Sequence, residues 1–282
     1  MRFGAILLAG GRARRVDGAA KPLFDVGGRT LLQRAIDAVA DCAPVTVVAD
    51  PVPGVSGGAG VTWVREDPPF SGPAAAVVAA LAAWQRAATL VAAAPSGGDL
   101  HTGGPIPEDR SSRTHISSRS EGTTRVDEVG EGATAKDAGA VGLPEWTFLL
   151  ACDLPGVEAA VARLRRDLPL LPAETEGLCL ADAGSRPQWL TGVYRTAALT
   201  RGAAALPDAG RDASLRALLD DLAVAVVAAP EAETDDVDTW DDLERARARF
   251  GDASRAPEAD APTADAPNTA APKADALSEE HR

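Results

Sequence analysis

A pair of glycines followed by a cluster of cations is the part of this sequence best suited to chemistry. Gly10 and Gly11 end a short apolar run, Phe3–Ala9, which reads as a buried strand. Glycine lacks a Cβ, so the backbone here can take positive φ and approach a ligand closely. Its freed N–H groups suit anionic oxygens, and nearby cations add charge. The cations are Arg12, Arg14, Arg15 and Lys21. This combination predicts a triphosphate site.

Asp153 is the residue with the clearest metal-binding character. It follows Trp146–Cys152, a continuously apolar run typical of a central parallel strand. A carboxylate at the end of a buried strand is a hard oxygen ligand suited to Mg²⁺, which binds through one or two carboxylates plus substrate phosphates. The alternative is a cap for a helix starting near Pro155. Beside a triphosphate loop, the metal role is favoured, so Asp153 is predicted to bind Mg²⁺.

A second acidic segment, Asp236-Val237-Asp238, precedes the final predicted helix, which begins at Trp240. Aspartate and threonine at this place are common helix caps. For Asp236, we favour a role as a helix cap over a role as a metal ligand. For Asp238, metal contact and capping both stay open.

Apolar runs alternate with segments of helical period along the chain, which predicts an α/β fold of three layers around a mostly parallel sheet. Ligands of such folds bind at the carboxyl ends of the strands. The glycine loop, Asp67 and Asp153 each follow a predicted strand, so they are expected at one edge of the sheet. Pro73 near the start of a predicted helix is also favourable there, since its missing N–H needs no partner.

Composition narrows the class of protein. The chain has 282 residues, a formal net charge of −13 and three cysteines. An acidic chain lacks the basic face that nucleic-acid binding needs. Widely spaced, odd-numbered cysteines give neither a zinc pattern nor a disulfide framework, which fits a reducing, cytoplasmic compartment. No membrane-spanning stretch is expected, because Trp84-Gln85-Arg86 interrupts the apolar run 74–94.

Two segments differ in composition from the rest. Residues 95–144 are rich in Gly, Ser, Thr, Glu and Arg, and are predicted to be a disordered insertion within a single domain spanning residues 1–251. Residues 252–282 carry prolines at five-residue intervals among acidic residues, which predicts a disordered tail. All three histidines, His101, His115 and His281, fall in these segments, so a histidine base or metal site is not expected.

Common nucleotide motifs do not fit the glycine pair. A P-loop requires G-x-x-x-x-G-K-[ST], but Lys21 here precedes Pro22. The dinucleotide pattern G-x-G-x-x-G is not formed by Gly10-Gly11-Arg12-Ala13-Arg14. The loop must therefore belong to another class of nucleotide site.

Four ordered motifs together resemble the nucleotidyltransferases related to molybdenum cofactor guanylyltransferase. The resemblance covers about residues 2–250 without the insertion, and Asp236 and Asp238 stand where the family has two asparagines. The matching segments are Leu8-Ala9-Gly10-Gly11 with Arg15 and Lys21, Glu66-Asp67 with Gly72-Pro73, Cys152-Asp153-Leu154-Pro155, and Asp236-Val237-Asp238-Thr239 with Asp242-Leu243.

The resemblance implies a Rossmann-like fold of the nucleotide-diphospho-sugar transferase type, and transfer of GMP from GTP to the terminal phosphate of molybdopterin with release of pyrophosphate. It implies that GTP lies across Leu8, Ala9, Gly10 and Gly11, and that Asp67 contacts the nucleotide. Lys21 and Arg15 contact the phosphates, and Asp153, with Asp238 as a second candidate, holds Mg²⁺. Such a transfer depends on positioning and charge neutralisation.

Other functions remain alternatives at this stage. The chain could be a cytidylyltransferase, a transferase for another phosphorylated acceptor, or a non-catalytic nucleotide-binding protein. Retention of both Lys21 and Asp153 favours an enzyme. The resemblance also leaves room for transient contact with other proteins of molybdenum cofactor synthesis.

Overall fold

The computed structural model describes residues 1–10, 20–53, 55, 60–93 and 142–251. The predicted acidic tail lies outside these residues, and so does the predicted insertion apart from its last three residues. Those three, Gly142–Pro144, lead directly into a strand. The Arg2 guanidinium donates to the Gly142 and Leu143 carbonyl oxygens at 3.4 and 3.2 Å.

A seven-stranded sheet forms the centre of the molecule, with strand order β5-β4-β1-β6-β8-β7-β9. Strand β8 is antiparallel to both of its neighbours, and every other neighbouring pair is parallel. A two-stranded hairpin, β2 with β3, stands apart from it. The strands are β1 (Phe3–Leu8), β2 (Asp25–Val26), β3 (Arg29–Thr30), β4 (Val45–Val48), β5 (Val61–Val64), β6 (Trp146–Ala151), β7 (Gly177–Ala181), β8 (Pro187–Arg195) and β9 (Val224–Ala228).

Helices cover both faces of this sheet, as predicted. Alternate residues of β1 point to opposite faces, so Leu7 packs with α1 and α3 while Ile6 packs with α2, α4 and α5. The three-layer α/β prediction is therefore confirmed. The helices are α1 (Leu31–Ala38), α2 (Pro73–Ala93), α3 (Val157–Asp167), α4 (Thr196–Ala205), α5 (Leu215–Leu219), α6 (Glu231–Thr234) and α7 (Trp240–Phe250).

Helix α2 corrects one sequence-based expectation. Its 21 residues are long and apolar enough to cross a membrane by length and composition alone. However, Val77, Leu81 and Trp84 are buried in the core, and the Trp84 indole N–H donates to Thr46 Oγ1 at 2.7 Å. The apolar face of α2 is thus accounted for by packing against the sheet.

One edge of the sheet gathers the chain segments that follow its parallel strands. Ala9 and Gly10 follow β1, Asp67 follows β5, and Asp153 follows β6. The segment after β9 leads through α6 to Asp236 and Asp238. Because β8 runs the other way, its amino end lies at this edge instead. We call this edge, defined by these residues, the carboxyl edge.

Candidate active site

Gly10 and Asp153 follow adjacent strands, β1 and β6. Leu8 pairs with Ala151 in the β1–β6 register, and the Cys152 N–H donates to the Leu8 carbonyl oxygen at 3.1 Å. Continuing this register sets Gly10 level with Asp153. Adjacent strands are about 4.8 Å apart. Gly10 is therefore a neighbour of Asp153 in the fold, without the positive φ that was expected of it, and Gly11 lies outside the described residues.

Asp153 is not a helix cap. Helix α3 has Gly156 at its N-cap, with no side-chain capping hydrogen bond. The half-buried Asp153 side chain instead belongs to a cluster of carboxylates with Asp236 and Asp238. One oxygen of each of these three side chains lies within 4.8 Å of the others. We call Asp153, Asp236 and Asp238 the carboxylate trio.

A backbone hydrogen bond holds the trio together. The Val237 N–H donates to the Asp153 carbonyl oxygen at 3.0 Å, and the Val237 side chain is buried in a small apolar cluster. Asp236 and Asp238 flank this anchored residue. Residues i and i+2 of an extended segment project to the same side, so both carboxylates can face Asp153.

Thr239, not Asp236 or Asp238, caps helix α7. The Asp242 N–H donates to Thr239 Oγ1 at 3.2 Å, and the Asp242 carboxylate accepts from the Thr239 N–H at 2.7 Å, which completes a capping box. The prediction that Asp236 caps this helix is wrong, because the N-cap position is Thr239, three residues later. Both aspartates are thereby available to the trio.

Replacing Thr239 with alanine is expected to lower the free energy of unfolding by about 1 kcal/mol, since one half of the capping box is lost. Asp238→Asn keeps that box and is expected to cost less. Urea denaturation of both variants measures the difference, with Ser214→Ala at the N-cap of α5 as a matched cap removal. A larger loss in Asp238→Asn would make Asp238 the principal cap.

Electrostatics in the trio favour a bound cation. Burial raises the pKa of Asp153 to about 6, with Asp236 and Asp238 adding to this effect and Lys21 opposing it. Burial and Asp238 likewise raise the pKa of Asp236. Clustered carboxylates repel one another in the charged form, so a divalent cation among them relieves the repulsion. Hard carboxylate oxygens at this spacing fit Mg²⁺.

Lys21 brings a positive charge to the trio. It begins a single 3₁₀ turn, Lys21–Leu23, that leads into the β2–β3 hairpin. Its ammonium group donates to Asp238 Oδ1, and the Lys21 side chain is only 15% exposed. The lysine predicted to contact phosphates thus pairs with a carboxylate predicted to contact metal.

The structure describes some of the other predicted site residues but not all of them. Leu8, Ala9 and Gly10 lie at the end of β1 beside Asp153, whereas Gly11 and Arg15 lie outside the described residues. Asp67 is exposed just after β5. Strand β5 is three strand spacings from β6, or roughly 14 Å. The structure therefore separates Asp67 from the carboxylate trio along the carboxyl edge.

The amino-terminal part of the chain matches a known family. Residues 5–95 match the family model of the MobA-like NTP transferase domain. We call residues 5–95, which are similar to that domain, the MobA-like region. It runs from β1 to the end of α2 and so includes Lys21 and Asp67, whereas the carboxylate trio follows it in sequence.

Curated relatives of the chain carry the name molybdenum cofactor guanylyltransferase. The protein from Bradyrhizobium sp. (strain ORS 278) is 42% identical over 78 residues, which are 27% of this chain and 37% of that protein. The protein from Rhodopseudomonas palustris (strain BisB5) is 35% identical over 140 residues, which are 48% of this chain and 61% of that protein. The chain thus spans from about a third to three fifths of the length of these relatives.

The whole fold, beyond the MobA-like region, has a counterpart among solved structures. The crystal structure of molybdopterin-guanine dinucleotide biosynthesis protein A from Archaeoglobus fulgidus superposes with a TM-score of 0.51 at 14% sequence identity. The match covers 87% of this chain and 97% of that one. At this identity the likeness shows a shared fold.

Proposed function

We propose that this protein is a Mg²⁺-dependent nucleotidyltransferase that transfers GMP from GTP to the terminal phosphate of molybdopterin and releases pyrophosphate. The observation that carries this proposal is the carboxylate trio, with Lys21 against it, one strand away from the glycine turn of the MobA-like region. The names of the curated relatives support the choice of guanine and of the molybdopterin acceptor.

The transfer replaces one oxygen substituent on the α-phosphorus of GTP with another. An oxygen of the acceptor phosphate forms a bond to the α-phosphorus of GTP, and the bond from that phosphorus to the bridging oxygen breaks. Pyrophosphate leaves with the bridging oxygen. The attacking group is already an anion, so the chain needs to orient the two phosphates and offset their charge more than to remove a proton.

The residues divide into two groups by role. Leu8, Ala9, Gly10 and Gly11 offer backbone to the nucleotide, Lys21 and Arg15 offset phosphate charge, and Asp67 contacts the nucleotide. Asp153 and Asp238 hold Mg²⁺. The metal, when bound, neutralises charge on the phosphate oxygens.

Localisation and partners follow from the same proposal. We infer a cytoplasmic enzyme acting on GTP and molybdopterin, with transient contact to other proteins of molybdenum cofactor synthesis. The three free cysteines are all buried, which suits a reducing compartment.

Calorimetric titration with GTP, CTP, ATP and UTP in the presence of Mg²⁺ tests the proposed nucleotide. GTP is expected to bind about tenfold more tightly than the others, and to support pyrophosphate release once molybdopterin is added. A preference for CTP would indicate a cytidylyltransferase instead. Absence of nucleotide binding would indicate a protein that kept the fold without the activity.

A further inference from the structure

Lys21 has two partners, Asp238 and the triphosphate, and its ammonium group cannot bind both at the same time. In the structure its ammonium group is bonded to Asp238. The proposed function assigns Lys21 to the triphosphate and Asp238 to the metal. An ammonium and a divalent cation compete for the same carboxylate, and a lysine bonded to Asp238 is not available to a phosphate.

The charges around Lys21 explain its position beside Asp238. Two half-buried carboxylates, Asp153 and Asp238, lie close to the more exposed carboxylate of Asp236. Lys21 opposes the rise in pKa that burial and neighbouring carboxylates cause at Asp153 and Asp236. Among the described residues, Lys21 is therefore a cation that offsets the charge of the trio. A divalent ion among the same oxygens supplies twice that charge and repels the ammonium.

The two ends of this ion pair differ in rigidity. Asp238 is fixed at its backbone, because its N–H donates to Asp242 Oδ2 at 3.0 Å and its neighbour Val237 is buried. The backbone of Lys21 is held as well, since its carbonyl oxygen accepts from the Phe24 N–H at 3.0 Å. The Lys21 side chain, however, has a flexible four-carbon stem. Exchange therefore moves the ammonium group and leaves the carboxylates in place.

We propose that Lys21 is an exchangeable counter-ion of a three-carboxylate metal site, and that Asp236 is the third ligand of that site beside Asp153 and Asp238. This inference rests on the proposed function. Metal binding displaces the ammonium from Asp238 and makes it available to the triphosphate. Triphosphate binding draws the ammonium away and exposes Asp238 to the metal. Coupling of this kind is reciprocal, so each ligand tightens the other by the same factor.

Metal affinity, measured without any turnover, tests the exchange. Free Mn²⁺ is followed by electron paramagnetic resonance, with and without a GTP analogue that has a methylene group between its α- and β-phosphorus. Lys21→Met is expected to bind Mn²⁺ alone about fivefold more tightly than wild type, since the competing ion pair is gone. The analogue is expected to tighten Mn²⁺ binding strongly in wild type and only weakly in Lys21→Met.

A double-mutant cycle separates exchange at Asp238 from a general charge effect. In an Asp238→Asn background, Lys21→Met is expected to change Mn²⁺ affinity by less than about twofold. Asp236→Asn is expected to weaken Mn²⁺ binding in both Lys21 backgrounds. Arg201→Met is the matched control, because it removes one positive charge from an exposed pair with Glu176, which precedes β7 at the opposite edge of the sheet.

Three results would overturn the inference. The first is an unchanged Mn²⁺ affinity in Lys21→Met. The second is a change in Mn²⁺ affinity on Lys21→Met that is the same in the wild-type and Asp238→Asn backgrounds. The third is a change in Mn²⁺ affinity on Arg201→Met as large as that on Lys21→Met. Lys21→Gln is measured in parallel, and thermal melting identifies any variant that fails to fold. If wild type binds no GTP analogue in the presence of Mn²⁺, the proposed function itself fails, whatever the cycle gives for the metal alone.

Discussion

Replacing Asp153 with asparagine is expected to reduce Mg²⁺-dependent transfer about a thousandfold while making the metal-free protein more stable. The loss reflects the several kcal/mol of charge stabilisation that a catalytic metal supplies. The gain arises because the fold raises the pKa of this carboxyl from 3.8 to about 6. The charged carboxylate therefore costs the folded state free energy, and this cost grows as the pH rises from about 4 to about 6.

The size of the gain follows from the two pKa values. Their difference corresponds to at most about 3 kcal/mol, and solvent screening of the half-buried side chain reduces this to about 1–2 kcal/mol. Melting in EDTA at pH 7.5 measures it, with an expected increase of a few degrees. At about pH 3.5 the wild-type carboxyl is protonated, so the advantage of the variant is expected to disappear.

Asp220→Asn is the matched control for this pair of effects, since Asp220 is an exposed aspartate at the end of α5, away from the trio. It is expected to change neither transfer nor the melting temperature. Unaltered turnover in Asp153→Asn would remove Asp153 from the metal site. A lower melting temperature in EDTA would show that its carboxylate stabilises the metal-free fold.

Replacing Gly156 with alanine is expected to destabilise the protein and to abolish metal-dependent nucleotide binding. A Cβ at Gly156 would lie 1.8 Å from the Ala232 carbonyl oxygen and 2.9 Å from its carbon, both backbone atoms of α6. Helix α6 must then move, at a cost of about 1–3 kcal/mol. It leads directly to Val237, whose hydrogen bond to Asp153 brings the trio together.

Gly202→Ala provides a closely matched comparison. A Cβ there would lie 2.2 Å from the Leu218 carbonyl oxygen, where α4 crosses α5. Urea unfolding is expected to give similar stability losses for the two variants, while calorimetry with GTP and Mg²⁺ is expected to show normal binding in Gly202→Ala alone. Equal binding in both variants would mean that the position of α6 does not control the trio.

The individual elements could be predicted because their signals are local. The apolar runs before Gly10 and before Asp153, and the final helix that begins at Trp240, each depend on neighbours within a few positions. The hairpin of β2 and β3 was missed, since two-residue strands carry almost no periodic signal. Its turn is formed by Gly27 and Gly28, both with positive φ, which is the available clue.

Asp236 is the member of the carboxylate trio for which the sequence favours a different role. The Asp-Val-Asp spacing did contain a usable signal, because alternate residues of an extended segment share one side. Capping was favoured instead, since aspartate before a helix is common. Only the observed capping box of Thr239 with Asp242 released both aspartates from that role.

The sequence by itself determined the alternation of strands and helices and the placement of Asp153 at the end of a buried strand. The tertiary structure decided which charges meet. Lys21 and Asp238 are 217 positions apart, and their contact depends on packing Val26 and Leu31 against Val237 and α7. No local pattern encodes such a contact, because it results from burying apolar surface between distant segments. Two motifs with separate predicted roles thereby form one ion pair beside a cluster of carboxylates.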